Sequence, residues 1–193
     1  PQDFRDAAAV QFSLVSDPPF FGMGEEAKLV NIWMWKSELQ ADLALGYQDI
    51  EDVYPNMAVD TYPNILRSPA DQPMGDALTV ASDPTFITGW GAGNIVSDPT
   101  RRKSVEDLQA QGLGTLRARP LIDQTVGAVG FYRANTYRVV LRRALKPTGK
   151  GDGAVKLRPG TTVPVAFAVW NGSSGGRDGK KSITIWQDLK LAP

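Results

Sequence analysis

The chain contains no histidine and no cysteine. Without cysteine there is no disulfide, no thiolate nucleophile, no iron–sulfur cluster and no covalently attached c-type haem. Without histidine there is no Ser-His-Asp triad, no imidazole general base and no usual zinc site. A catalytic role would have to rest on carboxylates, lysine or tyrosine. An excess of either charge is also missing: Lys+Arg and Asp+Glu both number 21. That argues against a nucleic-acid partner or an anionic membrane surface, both of which favour a basic excess. No apolar run approaches the roughly 20 residues that span a bilayer, so no membrane span is expected. No secretory leader is visible, and because the sequence opens on Pro1 rather than Met, a processed or trimmed N-terminus is expected.

What is present reads as a soluble globular fold. The 193 residues, 42% hydrophobic and 22% charged, suit one domain over residues 1–193 whose core needs no disulfide or metal. The stretches AVQFSLV (Ala9 to Val15), LVNIWMW (Leu29 to Trp35), YRVVLRRAL (Tyr137 to Leu145), VPVAFAVW (Val163 to Trp170) and SITIWQDLKL (Ser182 to Leu191) are rich in β-branched and aromatic residues. They alternate with period two over much of their length, which predicts strands. In the last, Ile183, Ile185, Gln187, Leu189 and Leu191 would share one face. VGAVGFYRANTYRVV predicts a hairpin turning near Ala134-Asn135. From about residue 40 to 124 the chain is proline-rich and aperiodic, and is expected to be a long irregular insertion of the kind that serves as a lid or docking surface. Within it, RKSVEDLQAQG is a helix candidate, with Ser104 as N-cap and Gly112 as C-cap. The expected fold is therefore all-β: an antiparallel β-sandwich with that insertion and one or two short helices.

Two loops carry the unusual chemistry. FGMGEEAK (residues 21–28) sets Met23 between two glycines, and NGSSGGRDGKKS (residues 171–182) supplies Lys180 and Lys181. Each follows an apolar strand and precedes a strand with tryptophan, so in a sandwich both can open at one end. Taken alone, a loop methionine is usually packing and a Lys-Lys pair a solvated turn. The acidic runs Glu25-Glu26 and Asp49-Ile50-Glu51-Asp52 fit solvated surface better than a paired-carboxylate hydrolase.

The segments AVQF, FGMGEEAKLVNIWMWKSELQAD, VEDLQAQGLGTL, RVVLRRAL and VPVAFAVWNGSSGGRDGKKSITIW resemble the haem b-binding γ subunits of molybdenum enzymes related to dimethyl sulfoxide reductase. Ethylbenzene dehydrogenase, dimethyl sulfide dehydrogenase, chlorate and selenate reductases and nitrite oxidoreductases have such subunits. The most specific blocks are the Met loop before W-x-W-K and the A-F-A-V-W…R-x-G-x-K-S block. The resemblance implies one b-type haem in a β-sandwich, with iron bound by Met23 and by the lysine of Gly179-Lys180-Lys181-Ser182, pointing to Lys181 over Lys180. A haem protein without His or Cys must draw on Met, Lys, Tyr or an N-terminal amine, and a lysine ligates as the neutral amine.

Trp33, Trp35 and Trp170 become candidates to pack on the porphyrin, although alternation puts Trp33 and Trp35 on one face with Ile32 and Met34 opposite. Arg177 is either a haem propionate partner or a surface residue. GWGAGN (residues 89–94) is either a tight turn or a partner-docking tip. The family usually has strands before AVQF, so either the sequence is an N-terminally incomplete piece or those strands belong to another segment. The implied role is an electron-transfer subunit, working with an iron–sulfur β subunit and a molybdopterin α subunit. Its external carrier would be a soluble cytochrome c, and its place periplasmic or extracytoplasmic. The alternative from another class is a cofactor-free carbohydrate- or ligand-binding β-sandwich module, in which tryptophans such as Trp90 could stack on sugar rings.

Overall fold

The strand-rich segments pair into one antiparallel sheet. The computed structural model describes residues 4–20, 22–46, 54, 56, 101–146 and 151–193. GWGAGN with its Trp90 and the acidic run at residues 49–52 lie outside the described residues. The chain divides into two compact units, Pro1–Ala44 with Lys103–Pro193, and Leu45–Arg102. All nine strands among the described residues belong to the first.

Its strands are β1 (Ala7–Ser13), β2 (Val30–Lys36), β3 (Val105–Ala110), β4 (Arg117–Ala118), β5 (Gly127–Arg133), β6 (Thr136–Arg142), β7 (Thr162–Trp170), β8 (Ser182–Ile183) and β9 (Gln187–Lys190), with a helix α1 (Ser37–Leu45) directly after β2. Seven strands form one sheet in the order β4-β3-β2-β1-β7-β8, with β9 also on β7; β5 and β6 form a separate hairpin. The turn of that hairpin has φ +50° at Ala134 and +60° at Asn135, the primed geometry whose twist matches two antiparallel strands.

Period-two alternation gives the large sheet two apolar faces. On one, Phe12, Trp33, Val105, Val163 and Val165 pack with Ala128 and Leu141 of the hairpin, which makes the second layer of a β-sandwich. Trp35 lies in the same layer, its ring 5.0 Å from that of Tyr137. The layers approach so closely that a Cβ added at Gly130 would sit 2.3 Å from Trp35 Cζ2. Gly130→Ala is therefore expected to cost about 1–3 kcal/mol through overpacking, measured as a lowered denaturant midpoint. The opposite face carries Ala9, Val30, Ile32, Leu108 and Ala110, with Met23, Met34, Trp170 and Trp186 packed against it.

Two expectations from the sequence are corrected here. RKSVEDLQAQG is not a helix: Val105–Ala110 is a strand in the interior of the sheet, with all six residues buried. Its polar side chains are buried because each meets a partner from elsewhere. Glu106 pairs with Lys36 at 2.6 Å and Asp107 with Arg119 at 2.9 Å. Regular pairing thus resumes at Val105, well before residue 124, and the helix is α1 instead, built from the good helix formers of SELQADLAL.

SITIWQDLKL is likewise not one strand. Ile183 pairs with Ala168, whereas Gln187 pairs with Val165, so one extra residue separates the two pairings. Such a bulge turns the following side chains to the other face. Leu189 accordingly joins the hairpin-side core, while Ile183 stays on the Met23 side.

Candidate functional site

Met23 is held in a conformation that a residue with a Cβ rarely adopts. Its φ is +75°, and that of Gly24 is +78°; the left-handed region costs roughly 1–2 kcal/mol for a residue other than glycine. Backbone contacts on both sides hold it there. The Met23 N–H donates to Gln11 Oε1 at 2.8 Å, and its carbonyl accepts from Gly112 N–H at 2.8 Å. Gly24 must be glycine, because a Cβ there would meet Ala110 O at 2.7 Å and Lys28 O at 2.9 Å. The loop then closes in a tight turn, with Glu25 and Lys28 bridged through their backbones and paired through side chains at 2.9 Å. Lys28 also pairs with Asp17 at 2.8 Å.

That turn keeps its charges engaged with each other. The Glu25 carboxyl is held below the usual carboxylate range, first by the Lys28 hydrogen bond and next by Phe20 N–H. Because the folded-state value is depressed, this contribution is present above the unfolded value and is lost as the pH falls through the folded one.

The second loop repeats the device. Arg177 and Lys180 bridge through their backbones around Asp178, at φ +47°, and Gly179, a dipeptide suited to a primed turn. The Asp178 carbonyl accepts from Trp170 Nε1 at 3.1 Å and from Lys181 Nζ at 3.3 Å. The Lys181 amine also lies 5.4 Å from the Trp170 ring centroid, within cation–π range. Trp186 ties the two loop regions together by donating to the Pro19 carbonyl at 2.7 Å.

Between these loops lies a cavity of about 480 Å³, walled by Met23, Trp170 and Lys181 together with Ala9, Gln11, Gly22, Gly24, Glu25, Ile32, Leu113, Ala166, Phe167, Ala168, Gly179, Ile183 and Thr184. The volume falls in the range of small-molecule and cofactor sites, and the mostly apolar wall with a few polar groups is typical of them. A thioether and an amine are therefore available in one apolar chamber, brought there from loops at opposite ends of the chain. Among the described residues no group of three or more His, Cys, Asp or Glu is placed to hold a bare metal ion. The donor set suits iron already held in an organic macrocycle, whose ring buries against aliphatic walls and whose two axial positions take soft or neutral ligands.

The sequence candidates separate cleanly by position. Met23, Trp170 and Lys181 come together on the cavity. Lys180 does not line it, and its amine donates to the Ser174 carbonyl at 2.7 Å. Arg177 is exposed, with its guanidinium 4.7 Å from the Phe4 ring centroid and outside the cavity wall. Trp33 and Trp35 are buried on the opposite, hairpin-side face of the sheet. Gln11 escapes a reading of the sequence, where it looks like an ordinary polar residue in an alternating strand; nothing local says that its partner is the Met23 backbone.

The ethylbenzene dehydrogenase family model matches residues 1–182, a range that includes both cavity loops through Ser182. The chain is also 31% identical over 86 residues to the chlorate reductase subunit gamma of Ideonella dechloratans, covering 44% of this chain and 34% of that protein. It thus spans about a third of the length of that curated relative. The chain belongs to the ethylbenzene dehydrogenase family, in keeping with its resemblance to the γ subunits of dimethyl sulfoxide reductase-related molybdoenzymes.

Proposed function

We propose that this chain is the haem b-binding part of an electron-transfer subunit, with Met23 and Lys181 as the axial iron ligands. One observation carries the reading: a thioether and an amine, from loops far apart in sequence, wall the same apolar cavity. Trp170 lends an aromatic wall and lies within cation–π range of the Lys181 amine, and the strained, doubly hydrogen-bonded Met23 backbone fixes where its side chain begins. When bound, the haem would supply a one-electron couple, and methionine ligation would raise its potential. With both Met23 and Lys181 engaged, the iron would have no open position for a substrate to coordinate.

By family, the electrons would pass between the iron–sulfur subunit of a molybdenum oxidoreductase, whose molybdopterin subunit does the chemistry, and an external carrier such as a soluble cytochrome c. The complex would work in the periplasm or an equivalent extracytoplasmic space. Among the described residues no helix is long and apolar enough to cross a membrane. The carbohydrate-module reading draws no support from the described tryptophans. Trp33 and Trp35 are buried, Trp170 and Trp186 are half-buried, and an open stacking face is not formed among them.

The test is uptake of haem by the purified protein, followed by absorption before and after dithionite and by pyridine haemochrome. The expected result is one b-type haem per chain with sharp reduced α and β bands. Failure to take up haem, or uptake unchanged in the Met23→Ala/Lys181→Ala double variant, would overturn the assignment.

A further inference from the structure

Gln11 sits in the floor of the cavity, on β1, between Ile32 of β2 and Ala166 of β7. It is 8% exposed among aliphatic neighbours. A primary amide in such a place is costly unless it is hydrogen-bonded, and one half of it is: Oε1 accepts the Met23 N–H at 2.8 Å. That contact fixes which way the amide faces, since an N–H donor requires the oxygen opposite it. Nε2 is then left without a protein partner among the described residues, beside a cavity that Gln11 lines.

We propose that Gln11 is a positioning residue for Met23, holding the loop in its left-handed conformation so that the thioether points where a cavity occupant can use it, and leaving its Nε2–H₂ for that occupant. The functional part of this rests on the haem reading above; the structural part does not. Met23 carries strain of its own, and the Gly112 N–H secures only its carbonyl side. Without an acceptor on the amide side, the N–H is unsatisfied and the loop can relax to negative φ, swinging the side chain away. Gln11→Leu removes the acceptor with little change of volume and adds no polar group to an aliphatic surround, so the sheet should survive it. Gln11→Glu keeps an oxygen for the Met23 N–H in either protonation state.

Two measurements decide it. In the protein without haem, exchange of the Met23 amide hydrogen is expected to quicken roughly five- to tenfold in Gln11→Leu, the scale of one lost hydrogen bond, and to stay near wild type in Gln11→Glu. In the haem-loaded protein, added imidazole competes for the position that Met23 holds. Its apparent affinity should rise by roughly the same factor in Gln11→Leu and return toward wild type in Gln11→Glu. Unchanged Met23 exchange in Gln11→Leu would overturn the proposal outright. Quickened exchange with unchanged imidazole affinity would overturn its functional half. If Met23→Ala also leaves imidazole affinity unchanged, the haem reading is what has failed, and the exchange result alone judges Gln11.

Discussion

Replacing Arg119 with methionine is expected to destabilise the protein by about 3–5 kcal/mol, the usual result of stripping one partner from a buried ion pair. Arg119 is 1% exposed, and Asp107, which it meets at 2.9 Å, is 0% exposed. The same guanidinium reaches the Asp123 carbonyl at 3.2 Å and the Gly151 carbonyl at 3.2 Å, joining three stretches of chain. Asp107 in turn accepts from Asn31 Nδ2 at 2.6 Å, and Asn31 Oδ1 accepts from Trp33 Nε1 and from Val155 N–H. This network lies on the hairpin-side face, away from the cavity. A total stability of about 5–15 kcal/mol is typical, so the variant should show a large drop in denaturant midpoint. Under conditions where it remains folded, its haem uptake should be normal.

The size of that deficit should depend on pH, with a sign fixed by Asp107. Burial raises the Asp107 carboxyl above its ordinary value, while the Asn31 hydrogen bond and Arg119 pull it back down. Removing Arg119 takes away one of the downward pulls, so Asp107 in the variant is raised further. A carboxyl whose folded value exceeds its unfolded value contributes stability below the unfolded value and loses it as the pH rises through the folded one. The variant-minus-wild-type deficit should therefore be largest at neutral pH and shrink on acidification toward the ordinary carboxylate range. Adding Asp107→Asn to Arg119→Met should recover part of it, because the uncompensated charge is then gone. A deficit that is flat with pH would mean that lost packing, not the stranded carboxylate, is the cause.

The same network explains where the sequence misled. Strands such as Val30–Lys36 and Thr162–Trp170 announce themselves because apolar, β-branched and aromatic residues alternate along them. Val105–Ala110 hides, because its Glu106, Asp107 and Gln109 look like the wet side of a short capped helix. Glu106 and Asp107 are buried with Lys36 and Arg119, which come to them from other segments, and Gln109 stands opposite Arg117 of β4; pairings of that kind leave no trace in the local pattern. The break at Thr184 to Trp186 is hidden for a related reason. The alternation continues straight through it, while the register on β7 slips by one residue.

For the site, the glycine-flanked Met23 and the Lys181 turn were legible as a pair, since both loops join predicted strands and both carry tight-turn residues. Which tryptophan accompanies them was not. Trp33 and Trp35 follow Met23 closely in sequence, but strand alternation sends them through to the far face, and Trp170 reaches the cavity because it is two residues from Ala168 on the near one. Gln11 was beyond reach, because its significance lies in a backbone conformation twelve residues away.

On the haem assignment proposed above, Met23→Ala would remove the thioether ligand, and retention of the group is expected to weaken by at least roughly tenfold to a hundredfold, the scale on which even the groups behind a metal ligand matter. Met23→Leu should do the same, which separates a ligand from a core residue: a methionine that merely fills space tolerates leucine at little cost. Met23→His offers the opposite test. Histidine is among the residues that adopt the left-handed region more readily than most, so the loop can keep its shape. The haem should then stay low-spin, while its potential falls because the electron-rich imidazole replaces a ligand that favours the reduced state. Lys181→Ala should free the opposite axial position, whereas Lys180→Ala should change little, its amine being engaged with the Ser174 carbonyl outside the cavity. The five spectra are read together. If Met23→Leu keeps a wild-type spectrum, the thioether is packing and the ligand lies elsewhere; if Lys180→Ala rather than Lys181→Ala alters it, the turn around Asp178 and Gly179 must rearrange when the cavity fills.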